Sequence, residues 1–93
     1  MYILRIEHPV ADYDAWKAAF DSDPIGRERS GVRRYRIMRT TDDPSHVTID
    51  LEFDSLGEAE AARAALEDPT TPLEVTHGLR VRITEVVETK EYQ

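Results

Sequence analysis

The sequence predicts a single α+β domain over residues 1–93, of the ferredoxin-like βαββαβ type, with a four-stranded antiparallel sheet in spatial order 4-1-3-2 and both helices on one face. Two observations carry this reading. Four segments alternate their residues with a period of two, and two further segments repeat apolar residues at helical spacing, so that the order along the chain is strand, helix, strand, strand, helix, strand. There is no internal repeat, low-complexity stretch or linker.

Residues 2–8 set Tyr2, Leu4, Ile6 and His8 against Ile3, Arg5 and Glu7, the pattern of a strand with two unlike faces. Asp12 is suited to cap the helix that follows, in which Tyr13, Trp16 and Phe20 recur at i, i+3 and i+7. Pro24 and Gly26 loosen its end, a further turn is expected through Glu28, and Ser30-Gly31 stops it. From Val32 to Arg39 a second strand alternates Arg33, Tyr35 and Ile37 with Val32, Arg34, Arg36 and Met38. A turn is expected over Thr41–Ser45, then a third strand with Val47, Ile49, Leu51 and Phe53 on its apolar side.

Ser55-Leu56-Gly57-Glu58 is a capping box, in which the serine hydroxyl serves the Glu58 amide and the glutamate reaches back to the serine amide. It opens an alanine-rich helix to about Glu67. Thr71-Pro72-Leu73-Glu74 repeats the pattern ahead of Gly78, predicting a short third helix near residues 72–77. The last strand is expected over Arg80–Glu88, with Leu79, Val81, Ile83 and Val87 on one side, and Thr89–Gln93 is a polar tail.

In this order of strands the even-numbered side of the first strand joins Tyr35, Ile37, the apolar side of the third strand, Val81 and Ile83 beneath the helices. The other side carries Arg5, Glu7, Arg34, Arg36, Asp50, Glu52, Arg80 and Arg82 with Ile3, Val32, Met38 and Val86 among them. A hairpin turning near Asp43 sets Arg36 opposite Asp50 and Arg34 opposite Glu52. Such a lattice suits a sheet face that meets a second sheet. A chain this short buries only about 60–65% of its unfolded surface, so a homodimer through the charged face is expected.

Composition narrows the chemistry. No cysteine is present, which excludes disulfides, thiolate metal sites and cysteine nucleophiles. The net charge of -7 opposes nucleic acid and anionic membranes as partners. The first residues carry no basic stretch leading into an apolar run, and no segment is long enough to span a bilayer, so a cytoplasmic location is expected.

Among groups that titrate near neutral pH, the topology gathers His8, His46 and His77 at one end of the sheet. His8 points toward the helices and His46 away by strand parity, so a three-histidine metal site is not favoured and no metal is expected. Tyr13, Trp16, Phe20, Tyr35 and Tyr2 share the space of His8. They are either plain core or the lining of a flat apolar pocket, with His8 or Tyr35 orienting a small apolar or aromatic ligand. The arginines from 27 to 39 are mostly answered by Asp50 and Glu52, while Arg27, Arg29 and Arg33 remain possible anchors for a carboxylate.

Tyr13-x-x-Trp16, Gly31-Val32, Asp42-Asp43-Pro44, Phe53-Asp54-Ser55 and Pro72-Leu73 together resemble the dimeric α+β barrel superfamily, in particular proteins similar to antibiotic biosynthesis monooxygenases. The resemblance implies a dimer whose sheets close a barrel, with a ligand cavity between helices and sheet of each subunit. His77 is similar to the haem-ligating histidine of the haem-degrading branch. The asparagine those enzymes use on the first strand and the tryptophan near the second helix are absent here, where the chain reads Ile3-Leu4-Arg5-Ile6-Glu7 and Phe53-Asp54-Ser55-Leu56-Gly57.

The expected function is therefore a small-molecule-binding protein without a cofactor, of monooxygenase-like type and acting on aromatic or polyketide-like compounds. Its expected catalytic residues are His8, His77 and Tyr35, and its ligand-binding residues Tyr13, Trp16, Phe20 and Arg33. The alternative is a non-catalytic dimerising module whose cavity is filled by its own side chains.

Overall fold

The computed structural model describes residues 1–23, 26–67 and 80–93. Its elements are β1 (Tyr2–Pro9), α1 (Tyr13–Asp21), β2 (Arg34–Thr40), β3 (Asp43–Phe53), α2 (Leu56–Glu67) and β4 (Arg80–Glu85). The sheet runs β2-β3-β1-β4 with every neighbouring pair antiparallel, which is the expected order. The short helix expected near residues 72–77 lies outside the described residues, as do Leu79 and His77.

Register follows from the two-faced strands, because a slip of one residue would turn every core side chain to the wrong side. On the inner face Leu4 stands between Leu51 and Ile83, and Ile6 between Ile49 and Val81. These residues join Val47, Phe53, Trp16, Ala59 and Ala62 in one apolar cluster. Alanine at 59 and 62 lets α2 lie close to β1 and β3, since neither position holds a side chain that would push helix and sheet apart. No helix among the described residues is long and apolar enough to cross a membrane.

The outer face is organised by charge. Arg5 takes both oxygens of Asp50, each at 2.8 Å, and Arg34 takes those of Glu52 at 2.7 and 3.0 Å. Asp50 and Glu52 are each only 6% exposed. Arg34 faces Glu52 and Arg36 faces Asp50 as the hairpin reading expected, but the bidentate partner of Asp50 is Arg5 from its other neighbouring strand.

Several local expectations are corrected. The turn is shorter than expected because β3 already begins at Asp43, and the pairing jumps from Arg39 opposite Val47 to Thr40 opposite Asp43, a bulge at the edge of the sheet. The last strand ends at Glu85, and Val87, expected on its apolar side, is 87% exposed, because the pairing of β4 with β1 ends at Glu85 opposite Tyr2. In the capping box the Ser55 hydroxyl accepts from the Glu58 amide and donates to the Glu58 carboxylate, so the glutamate bonds the serine side chain in place of its amide. Residues 27–30 are turns and do not extend α1. Gly31 has φ 96, and a Cβ on it would collide with the Glu58 carboxylate.

Phe53 is fully buried, and Phe53→Ala is expected to lower stability by about 3–5 kcal/mol in urea unfolding. The hydrogen bonds from Arg34 hold the Glu52 carboxyl below its ordinary 4.5, against the opposing effect of burial. The stabilisation from this pair is therefore present above 4.5 and lost as pH falls through the lower native value; Arg34→Ala should remove that part of the acid-induced loss.

Candidate functional site

The candidate site forms where the end of β1 meets the start of α1. Alternation along β1 sends Leu4, Ile6 and His8 to the helix side, and all three are buried. The chain then turns, held by the Val10 amide donating to the Ser45 carbonyl, so the start of α1 is tied back to β3. Asp12 caps the helix: its Oδ1 accepts from the Ala15 amide at 3.2 Å and its carbonyl from the Trp16 amide at 3.0 Å. That cap sets the rotation of the helix. Tyr13, Trp16 and Phe20 pack against the core, while Lys17 and Asp21 pair at 2.7 Å on the more exposed side.

His8 and Trp16 are 4% and 8% exposed, with ring centroids 5.6 Å apart. The Nδ1 of His8 lies 3.0 Å from the Pro9 carbonyl. A carbonyl only accepts, so the neutral ring carries its proton on Nδ1 and keeps a lone pair on Nε2. Burial lowers the His8 pKa from its ordinary 6.5; the Pro9 carbonyl works in the opposite direction and the nearby His46 adds to the lowering. His8 is thus an uncharged imidazole at neutral pH with one nitrogen fixed and the other, bonded to nothing among the described residues, available as a base.

From this pair an aromatic run crosses the inner face. Tyr13 and Trp16 are 5.7 Å apart, Trp16 stacks on Phe20 at 5.3 Å, and Phe20 meets the edge of Tyr35 at 5.1 Å. A cation closes each end. Arg39 lies 4.8 Å over Tyr13, and Arg27 lies 3.9 Å over Phe20 and 5.1 Å over Tyr35. Arg27 is held in place by donating to the Phe20 carbonyl at 2.8 Å.

The expected site residues thus fall into two groups joined through Phe20. His8, Tyr13 and Trp16 form one end. Tyr35, 43% exposed on edge strand β2, belongs to the other, where an open hollow of about 460 Å³ is lined by Asp23, Arg27, Glu28 and the stretch Val32 to Tyr35. Arg33 lines that hollow and pairs with Asp54 at 2.9 Å. His46 pairs across from Pro9, beside His8, and no three metal-ligating side chains converge among the described residues.

The two cations over the rings were not read from the sequence. Arg39 was accessible to it, since strand parity groups it with Tyr35 and Ile37. Arg27 was not, because it lies beyond the end of α1 at Asp21, where helical spacing no longer places side chains.

Comparison with known proteins bears on the fold. No protein-family model and no curated protein matches the chain. Among solved structures, the chain is similar to a Deinococcus radiodurans protein described provisionally as an antibiotic biosynthesis monooxygenase, with a TM-score of 0.57 and 20% identity over 100% of this chain and 99% of that one. At that identity the likeness establishes a shared subunit fold, the ferredoxin-like arrangement of one antiparallel sheet and two helices.

Because the native pKa of His8 lies below 6.5, the unfolded chain binds the extra proton first as pH falls. Stability should therefore rise with pH up to about 6.5 and then level off. His8→Gln should flatten that slope in urea titrations across pH 5–7, and an unchanged slope would show that His8 is not its source.

Proposed function

We propose that this protein is a homodimeric small-molecule-binding protein of the cofactor-independent monooxygenase type, in which His8 acts as a base toward a flat, electron-rich aromatic or polyketide-like compound held against Trp16 and Tyr13. The observation that carries the reading is the state of His8. It is a buried neutral imidazole whose Nδ1 is committed to a backbone carbonyl and whose Nε2 is uncommitted, beside the one tryptophan of the chain.

In this reading the aromatic end orients the substrate ring, and Nε2 removes a proton from a phenolic or similarly acidic position. The anion left behind is richer in electrons and more readily oxidised by dioxygen, the co-substrate. Arg39, over Tyr13, supplies positive charge toward that end of the site. His77, the other base the sequence suggested, remains part of the proposal through its own substitution. Tyr35 reaches Trp16 only through Phe20, so it is given no part in proton removal.

The homodimer forms through the outer sheet face. Ile3, Met38 and the arginine stems give that face apolar area, and Asp50 and Glu52 are already paired within the subunit, so burying the face leaves those two acids with their partners. A second reading, a non-catalytic dimerising module, is favoured by one observation: His8 and Trp16 are nearly as buried as the surrounding core.

Oxygen uptake with quinols and phenols, alongside quenching of Trp16 emission by the same compounds, separates the two. The enzyme reading expects saturable quenching, and His8→Gln should lower the uptake rate by about 10²-fold or more. Equal rates in the wild type, His8→Gln and His77→Ala, with a Trp16 signal indifferent to every compound, would leave the module reading standing.

A further inference from the structure

The segment after β4 does not behave like a tail that has finished its work. After Glu85 one backbone bond, from the Val86 amide to the Met1 carbonyl at 3.0 Å, ties it to the sheet. Beyond it Val87 and Tyr92 are each 87% exposed, Lys90 lies 5.8 Å over the Tyr92 ring, and Glu88 and Glu91 outnumber that one cation. Two large apolar side chains in water on an eight-residue segment bury almost no area in the isolated subunit.

The outer sheet face has the complementary deficiency. It presents Arg5, Arg34, Arg36, Arg80 and Arg82 against only Glu7, Asp50 and Glu52. Asp50 and Glu52 are taken by Arg5 and Arg34, and no ion pair within 4.0 Å involves Arg36, Arg80 or Arg82 among the described residues. Arg5 and Arg82 also stand directly opposite each other, a like-charge pair that costs stability. Two such faces brought together would set positive on positive. Carboxylates must come from elsewhere.

Area leads to the same point. Four strands at the usual spacing and rise give a face of about 19 by 23 Å, roughly 450 Å². A specific interface buries about 800 Å² per partner. Fully extended, the residues from 86 to 93 reach about 26 Å, enough to cross a face of that width.

We propose that residues 86–93 form an arm that lies on the outer sheet face of a second copy of this chain, with Glu88 and Glu91 answering Arg36 and Arg82 and with Val87 and Tyr92 covering the apolar positions between them. This rests on the homodimer proposed above and deepens it: the arm supplies both the charge and the area that the sheet faces lack.

The test is sedimentation equilibrium of the full chain beside a chain ending at Glu85, with circular dichroism to confirm that both fold; the deleted segment is tied to the sheet by the Val86–Met1 backbone bond, so the fold should survive its loss. The full chain is expected to dimerise and the truncated chain to do so at least 100-fold more weakly. Val87→Ser with Tyr92→Ser should weaken the dimer at full length. Reversing Arg36 and Arg82 to glutamate should also weaken it, and adding Glu88→Arg with Glu91→Arg should restore it. A benzophenone at position 92 should cross-link to the other copy's sheet. A dimer equally tight with and without the segment, or cross-links confined to one chain, would overturn the arm while leaving the dimer intact. A full chain that stays monomeric at high concentration would overturn the dimer itself.

Discussion

Asp50 and Glu52 are carboxylates with little more exposure than the leucines beneath them, on a sheet face that no described helix covers. An arginine from an adjacent strand lies along each and engages both oxygens, which offsets the cost of taking the two carboxylates out of water. The rest of the architecture depends on that constraint. β3 is buried on both faces, apolar inward and ion-paired outward, so a slip in register would expose Phe53, Leu51 and Ile49 and would separate both carboxylates from their arginines. A strand specified twice in this way fixes the height of β1 beside it, and with β1 the position of His8.

Much of this was readable from residue order alone. Period-two alternation located β1 and the core side of β3, and the i, i+3, i+7 spacing of Tyr13, Trp16 and Phe20 placed α1 over the sheet with Asp12 as its cap. What alternation cannot do is choose between two neighbours. Asp50 has an arginine opposite it on each side, and hairpin geometry picks out only Arg36, because only β2 is joined to β3 by a tight turn. The Arg5 pairing depends on the sheet closing around β1, a contact between residues 45 positions apart.

The candidate site divides along the same line. His8 beside Trp16 follows from strand parity and helix spacing, both local rules. The lone pair on Nε2 follows from the Pro9 carbonyl, which requires the actual turn out of β1. The separation of Tyr35 from the His8 end reflects the width of the sheet, since Tyr35 stands on the outermost strand and His8 near its middle. The overestimate at β4 has a physical cause as well: Val87 has the right parity for the core, but the ladder between β4 and β1 ends at Glu85 opposite Tyr2, followed by a single bond from the Val86 amide to the Met1 carbonyl, and Val87 lies past both.

The two rims of the sheet deserve a different comparison from its faces. Among the described residues β2 and β4 each leave one row of backbone groups without a strand beside it, which in principle invites copies to stack side by side without limit. β2 carries Arg34, Arg36 and Arg39 and ends in a bulge, while β4 is six residues long and carries Arg80 and Arg82. Lateral growth is thereby discouraged at both rims by bulky cations and irregular backbone. A molecule built this way can meet a copy broadside, where association closes after one partner, and resists the ribbon-like polymer that an open sheet would otherwise seed.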